Sequence, residues 1–424
     1  MTDDQDVHLN SLDFQPISLL SFEGVAPYGP SCAQHKCHRC GPVLIDPGTC
    51  VYNNASMVLD NGAWAFHPGS YSTDLVANRS VEFLGDAIKA GEPFFLGVTP
   101  IAPHAETVGD AFEAPVPAKR HENLFLDVKV PRSPSFNAGA AGAVGYFRNL
   151  PKLAHDQIDY MDTFYRRRLQ SLQAVDDLIE DIMAKLESHP DVLANTYLFY
   201  TSDNGYHIGQ HRLPPGKTCG IEEDVNIPFI ARGPGIAAGH VGRFPTSHTD
   251  LVPTIFELAG IPLRDEFDGE PMPLKGQRQS NDALNRNTYK TLRVDTDDYA
   301  FMYTVWCTNE HELYDMKMNN LYGSNSTTSS FDIPQLSARL DTLLLTLKAC
   351  KGIACRRPWQ TLFPTGNVNG LVDAMDPLHD SFFLVSQPRV TFTTCSLGYN
   401  AEVEGPLSPV IFGAADETAI EPRQ

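Results

Sequence analysis

Apolar positions along this chain follow two periods. From Tyr71 to Ala90, Leu75, Val76, Val81, Leu84 and Ile88 recur at helical spacing, and Gly91 supplies a stop. The longest such signal runs from His155 to His189. There Met161, Phe164, Leu169, Leu172, Val175, Leu178, Ile179, Ile182 and Leu186 mark one face, the charges between them read as a solvated face, and Pro190 ends the pattern. Between these helices lie short continuous apolar runs at Pro93–Thr99, Asn195–Thr201 and from Ile227 to Ala231. Runs of that length, alternating with helices, predict the buried strands of an α/β domain. Phe112 to Pro151, rich in Pro, Gly and Ala, predicts a long surface loop.

The pattern changes in the last third. Thr249 to Gly260 predicts a short helix, and the polar, turn-rich text from Asp265 to Asn287 predicts a linker. Strand-like runs then fall at Thr291–Val294, Tyr299–Trp306 and Glu312–Asp315, with a helix from Leu336 to Lys348. The expectation is two domains. Residues 1–287 form an α/β domain, helices on both faces of a mostly parallel sheet. Residues 288–424 form a small α+β domain with an antiparallel sheet, Trp306 in its core, and a disordered tail from Ala414.

Composition narrows the function. A chain of 424 residues can bury two cores of unequal size. A formal charge of −20 argues against a nucleic-acid or anionic-membrane partner. It says nothing against an anionic small molecule, which local Lys and Arg can hold. No apolar run approaches the roughly eighteen residues of a membrane span. Nine cysteines leave at least one outside any intrachain pairing. Cys350 and Cys355 close a short loop, and Cys307 and Cys395 both sit in strand-like text, so disulfides are expected there, with their connectivity left open by the sequence. Sequons at Asn54, Asn78 and Asn325 lean toward secretion.

Candidate chemistry gathers between Thr201 and Gly235. The run Asn195–Thr201 stops at Ser202-Asp203-Asn204-Gly205. Two oxygen-bearing side chains at a strand end suit a hard cation at the carboxyl edge of a sheet, although Asp-Asn-Gly is also turn chemistry. The loop that follows carries His207, His211, Arg212 and Lys217, which together could hold an anion. At the start, Asp3, Asp4 and Asp6 put three carboxylates in four positions, either a solvated acidic terminus or a set bridged by a cation. His104 ends the segment Pro100-Ile-Ala-Pro-His, held stiffly between strand and loop. Cys32, Cys37, His38 and Cys40 have no established zinc spacing.

The block S-D-N-G-Y-H-I-G-Q, Lys217, Glu222-Glu-Asp224 and R-G-P-G235 resembles the carboxyl-proximal signature of the sulfatases, in their secreted arylsulfatase and glucosamine-6-sulfatase branch. The resemblance takes in Asp3-Asp4, Ile101–His104 and Val305–Asp315. It implies an alkaline-phosphatase-like fold and hydrolysis of aryl or sugar sulfate esters. It further implies Asp3, Asp4, Asp203 and Asn204 as ligands of Ca²⁺, with Mg²⁺ the lesser alternative. His104 and Lys217 would be catalytic groups on the sulfate, and His207 a wall of the substrate site. A sulfated small molecule or glycan is the implied partner, and the secretory pathway the implied compartment. No signal-peptide pattern precedes the family's acidic pair in this sequence, and the expectation is a fragment that begins too late, after the first central strand.

The departure from the family lies over Ser21–Pro42. Sulfatases there carry C-x-P/A/S-x-R, whose Cys the formylglycine-generating enzyme converts to formylglycine, the nucleophile. Cys40-Gly-Pro-Val-Leu44 has Leu where Arg belongs, and the motif occurs nowhere else in the chain. Three readings follow. One is a sulfatase that has lost this segment and is inactive in its present form. Another is a pseudoenzyme that binds a cation or a sulfated glycan. The last, a two-zinc phosphatase of the same superfamily, needs further Asp and His ligands at strand ends that the sequence does not offer.

Overall fold

The computed structural model describes residues 1–2, 5, 43–44, 51–58, 64–108, 111–139, 142, 144–242, 244–274, 283–286, 289–296, 298–319, 331–396 and 401–413. Asp3, Asp4, Asp6, the cysteines from Cys32 to Cys50, Asn325 and the tail from Ala414 lie outside the described residues. The chain divides into two compact units. The first is Met1–Ala141, Leu150–Lys217 and Glu223–His240; the second is Gly142–Asn149, Thr218–Glu222 and Val241–Gln424.

In the first unit, β1 (Val43–Leu44), β2 (Asn54–Val58) and β3 (Trp64–Pro68) form an antiparallel meander. Helix α1 (Ser72–Ala90) follows the predicted stripe and buries Val76, Ala77, Ser80 and Leu84. Its cap Gly91 has φ 67°, a left-handed conformation in which a side chain is strained. A hairpin of β4 (Glu106–Val108) and β5 (Ala111–Glu113) leads through a long loop to α2 (His155–Glu187). Helix α2 supplies the core: Met161, Phe164, Tyr165, Leu172 and Val175 pack with Tyr52, Tyr71, Val130, Tyr206 and Ile208.

Two charged residues of α2 depart from the expected solvated face. Asp162 is buried, where it accepts both Arg132 Nη2 contacts at 2.8 Å and the Val130 N–H at 3.1 Å. Arg168 is fully buried, its guanidinium 4.2 Å from the Tyr206 ring centroid and its Nη1 3.4 Å from the Pro103 carbonyl. A buried charge is tolerable only when a partner accepts it, and both have one.

The mostly parallel sheet is represented among the described residues by a single parallel bridge, Thr2 to Ser202. Every strand ladder is antiparallel, including β6 (Leu198–Thr201) with β7 (Phe229–Arg232). Pro93–Thr99, expected as a strand, has no ladder among the described residues. The Met1 ammonium donates to the Val98 carbonyl at 2.9 Å, and the Thr2 N–H donates to the Thr201 carbonyl at 2.9 Å. Met1 and Thr2 thus bond residue 98 on one side and residue 201 on the other.

The second unit holds helix α3 (Leu251–Leu258) and a four-stranded antiparallel sheet in the order β11-β10-β9-β8. These strands are Ala283–Arg286 (β8), Tyr289–Asp295 (β9), Ala300–Trp306 (β10) and His311–Asp315 (β11). Helix α4 (Ile333–Leu347) packs Leu336, Leu340, Leu343 and Leu344 into one core with Leu292, Tyr303 and Val305. Trp306 is buried as expected, its Nε1 donating to Glu312 at 3.0 Å.

The boundary expected after residue 287 moves to residue 241, because the polar text from Asp265 is anchored rather than free. Asp268 accepts the Gly352 N–H at 2.7 Å, and Glu270 lies 3.3 Å from Arg357. Asp250 similarly ties the start of α3 to residue 270, accepting N–H groups of Ser247 and Glu270 at 3.0 Å.

The cysteines expected to form disulfides pair as Cys307–Cys395 and Cys350–Cys355, the connectivity that the sequence left open. The second unit also buries an unusual charge cluster. Lys290 Nζ lies 2.6 Å and Lys348 Nζ 3.4 Å from the two oxygens of Glu404, all three side chains at most 3% exposed. Desolvation holds the Lys348 ammonium below its ordinary pKa, although Glu404 opposes the shift.

Two stability predictions follow from this unit. Glu404→Gln strands two buried ammonium groups, so urea unfolding should show a loss of about 3–5 kcal/mol; a loss under about 1 kcal/mol would mean the lysines are solvated. Loop-closure entropy makes the bridge spanning 88 residues worth about 4–5 kcal/mol and the bridge spanning five about 2. Cys307→Ser/Cys395→Ser should therefore cost about twice as much as Cys350→Ser/Cys355→Ser; equal losses would contradict this ordering.

Candidate functional site

Strand β6 is buried along most of its length and delivers the chain to Ser202. Ser202 is fully buried, and its hydroxyl is a knot. It accepts the Gln5 N–H at 2.8 Å and reaches the Thr2 carbonyl at 3.2 Å and the Asn204 carbonyl at 3.0 Å. Gln5 Oε1 also accepts from Thr2 Oγ1 at 2.8 Å and from the Tyr200 phenol. Desolvation pushes the Tyr200 phenol above its ordinary pKa, which keeps it a proton donor. Thr2 and Gln5, on either side of the acidic pair in sequence, are therefore both tied to the end of β6.

Asp203 is exposed, and its Oδ1 accepts the N–H of Asn204 at 2.8 Å, the turn chemistry expected of Asp. Asn204 donates its Nδ2 to the Gly205 carbonyl at 2.8 Å, and its Oδ1 accepts from Lys217 Nζ at 3.3 Å. Gly205 is required by space: a Cβ there would lie 2.0 Å from the Glu223 carbonyl oxygen. Into that close approach fit two backbone bonds, Gly205 N–H to the Asp224 carbonyl at 2.9 Å and Tyr206 N–H to the Glu223 carbonyl at 2.8 Å.

His207 is 3% exposed. Its Nδ1 donates to the Asp224 carboxylate at 2.8 and 3.0 Å, and Asp224 is itself 3% exposed. Its backbone exchanges two bonds with Gly216, at 2.8 and 3.0 Å, and so fixes the residue before Lys217. A ring held this way also serves as an internal support of the loop. Arg212 is committed as well, since its guanidinium donates to the carbonyls of Ala138 at 3.0 Å and Leu150 at 2.8 Å. Of the four cationic groups expected to share an anion, these two serve the loop's own architecture. Lys217 is half-buried beside Asn204.

His104 follows the cis Ala102–Pro103 peptide. Its Nδ1 donates to the Ala105 carbonyl at 2.7 Å, which leaves Nε2 as the other site of proton exchange. Tyr52 donates its phenol to the His104 carbonyl at 2.7 Å. Arg168 joins this segment to Tyr206 through Pro103.

The structure thus brings Asp203, Asn204 and Lys217 together, and holds His104 on a separately braced turn. Asp3 and Asp4 lie outside the described residues. The donors at hand, a carboxylate and an amide oxygen, fit a hard cation such as Ca²⁺ or Mg²⁺. An ammonium beside them fits an anion. Sequence reasoning missed Ser202, Arg168 and the role of Asp224. Of these, Ser202 and Asp224 fall inside the signature, in Ser-Asp-Asn-Gly and Glu-Glu-Asp, and Arg168 left no signal.

Known proteins share much of this sequence. The sulfatase family model matches residues 37–261, more than half of the chain. An arylsulfatase of Volvox carteri is 34% identical over 411 residues, covering 83% of this chain and 62% of that protein. An N-acetylglucosamine-6-sulfatase of Bos taurus is 30% identical over 346 residues, covering 70% and 60%. The chain therefore spans about 62% of the length of such relatives. Among solved structures, a protein in complex with its substrate D-glucosamine-2-N,6-O-disulfate superposes with a TM-score of 0.53 at 19% identity, covering 66% of this chain and 69% of that one. That likeness speaks for the fold alone. On the family match, the chain belongs to the sulfatase family.

Proposed function

We propose that this protein is built for hydrolysis of a sulfate ester, the substrate being an aryl sulfate or a sulfated sugar. The observation that carries the reading is the placement of Asp203, Asn204 and Lys217 at the end of β6, oxygen donors and a cation side by side. The substrate bound by the structural neighbour, a disulfated glucosamine, supports the sulfated-sugar class. The same neighbour supports an alkaline-phosphatase-like parent fold, in which the Thr2–Ser202 bridge is part of a mostly parallel sheet.

Asp203 and Asn204, with Asp3 and Asp4, would hold Ca²⁺, with Mg²⁺ second. Thr2 and Gln5 bonding to Ser202 supports placing the acidic pair on the same strand end. The cation neutralises charge on the sulfuryl oxygens. Lys217 holds a sulfuryl oxygen through its ammonium. His104, with Nδ1 committed to Ala105, offers an Nε2 proton to the departing alcohol when in the imidazolium form. Extracellular sulfatases occur among the relatives, and Asn54 and Asn78 are both exposed, which supports passage through the secretory route.

The family's nucleophile motif is absent from the 424 residues. The chain in this form should therefore be inactive, since losing the nucleophile removes most of the rate. Expressed with the formylglycine-generating enzyme, it should not turn over an aryl sulfate. A version with the family's C-x-P-S-R segment restored should do so, and Ca²⁺ chelation should stop it. Calcium-dependent turnover by the unaltered chain would contradict this account of the gap. A folded but inactive restored protein would favour the pseudoenzyme. In the unaltered chain, Lys217→Met should weaken inorganic sulfate binding about tenfold or more by calorimetry, as expected for a charge-assisted contact; unchanged affinity would remove Lys217 from the site.

A further inference from the structure

We propose that Asp224 is the positioning residue of this site, the single group on which both arms carrying Asn204 and Lys217 are hung. This rests on the reading of Asn204 as a cation ligand.

The geometry is a closed circuit. The main-chain carbonyl of Asp224 accepts the Gly205 N–H at 2.9 Å, directly after Asn204. Its carboxylate accepts His207 Nδ1–H at 2.8 and 3.0 Å. His207 exchanges backbone bonds with Gly216 at 2.8 and 3.0 Å, directly before Lys217. Lys217 Nζ then reaches back to Asn204 Oδ1 at 3.3 Å and closes the ring. Asp224 thus acts on one arm through its backbone and on the other through its side chain.

The environment makes this linkage stiff. Asp224 and His207 are each 3% exposed, and Glu223 beside them is 1% exposed with Ser135 Oγ donating to it at 3.1 Å. No Cβ fits at Gly205, and one at Gly216 would lie 3.1 Å from His207 Nε2. Neither arm can shift without breaking a buried hydrogen bond, which costs more than a solvated one. An oxygen ligand held this way meets a cation without first being ordered. Asp224 touches neither cation nor sulfate in this scheme and contributes through the groups it holds.

The test is Ca²⁺ titration by calorimetry of the full chain and of Asp224→Asn, Asn204→Ala and the double variant, with unfolding midpoints measured alongside. Outer-shell partners of a metal site typically carry about 10–100-fold in affinity. Asp224→Asn should raise the Kd for Ca²⁺ about tenfold. Added to Asn204→Ala, it should change the Kd by less than about twofold, because its effect passes through Asn204. A merely structural role would lower the midpoint and leave the Kd within about twofold of wild type; that result, or additive losses in the double variant, overturns the proposal. Wild-type chain that binds no Ca²⁺ overturns the cation reading itself, a distinguishable failure. Should Asp224→Asn not fold, His207→Asn and His207→Leu serve instead. The Asn amide stands where Nδ1–H stood, so it should recover most of the affinity that Leu loses. Equal losses by both would also overturn the proposal.

Discussion

The arrangement at the end of β6 depends on one close approach, the main chain at Gly205 against the main chain at Glu223–Asp224. Backbone can come that near only where a side chain is missing, and the 2.0 Å that a Cβ would meet shows how little tolerance there is. The contact fixes where Asp203 and Asn204 leave the strand. It also brings the Asp224 carboxylate to His207, and through His207 it sets the return of the chain toward Lys217. The chemistry of the site, oxygen donors on one arm and an ammonium on the other, follows from the lengths of those two arms.

Around this contact the first unit uses buried polar groups as struts. Ser202, Arg168 and Asp162 are all at most 3% exposed, and each joins segments far apart in sequence. Ser202 ties the start of the chain to β6, Arg168 ties α2 to the His104 turn and to Tyr206, and Asp162 ties α2 to the loop at Arg132. Groups of this kind are expensive to bury, so each favours the arrangement that supplies its partners. That is the rigidity a site needs when its ligands sit on turns rather than on helices or strands.

Much of this was legible in the sequence where local rules apply. Helices α1 and α2 began and ended close to where apolar spacing, Gly91 and Pro190 put them. Strand β6 stopped at Ser202, and the two disulfides joined the cysteines whose surroundings suggested it. What stayed hidden was set by distant partners. Nothing local distinguishes Arg168 from a surface arginine on the same helix, because its partners are Pro103 and Tyr206. His207 looked like a cation facing a ligand, and only the fold shows its Nδ1 donating to the Asp224 carboxylate. The polar stretch after Asp265 looked like a linker because hydrogen bonds to Gly352 and the ion pair to Arg357 leave no mark on composition.

The central claim is that a hard cation sits on the oxygens of Asp203 and Asn204, with Lys217 beside it. The most direct test is a crystal structure of this chain grown with Ca²⁺. The account predicts an ion about 2.3–2.6 Å from a carboxylate oxygen of Asp203 and from Asn204 Oδ1. Full-strength Ca²⁺ density elsewhere with none at this strand end, or a zinc ion held by histidines in its place, would contradict it.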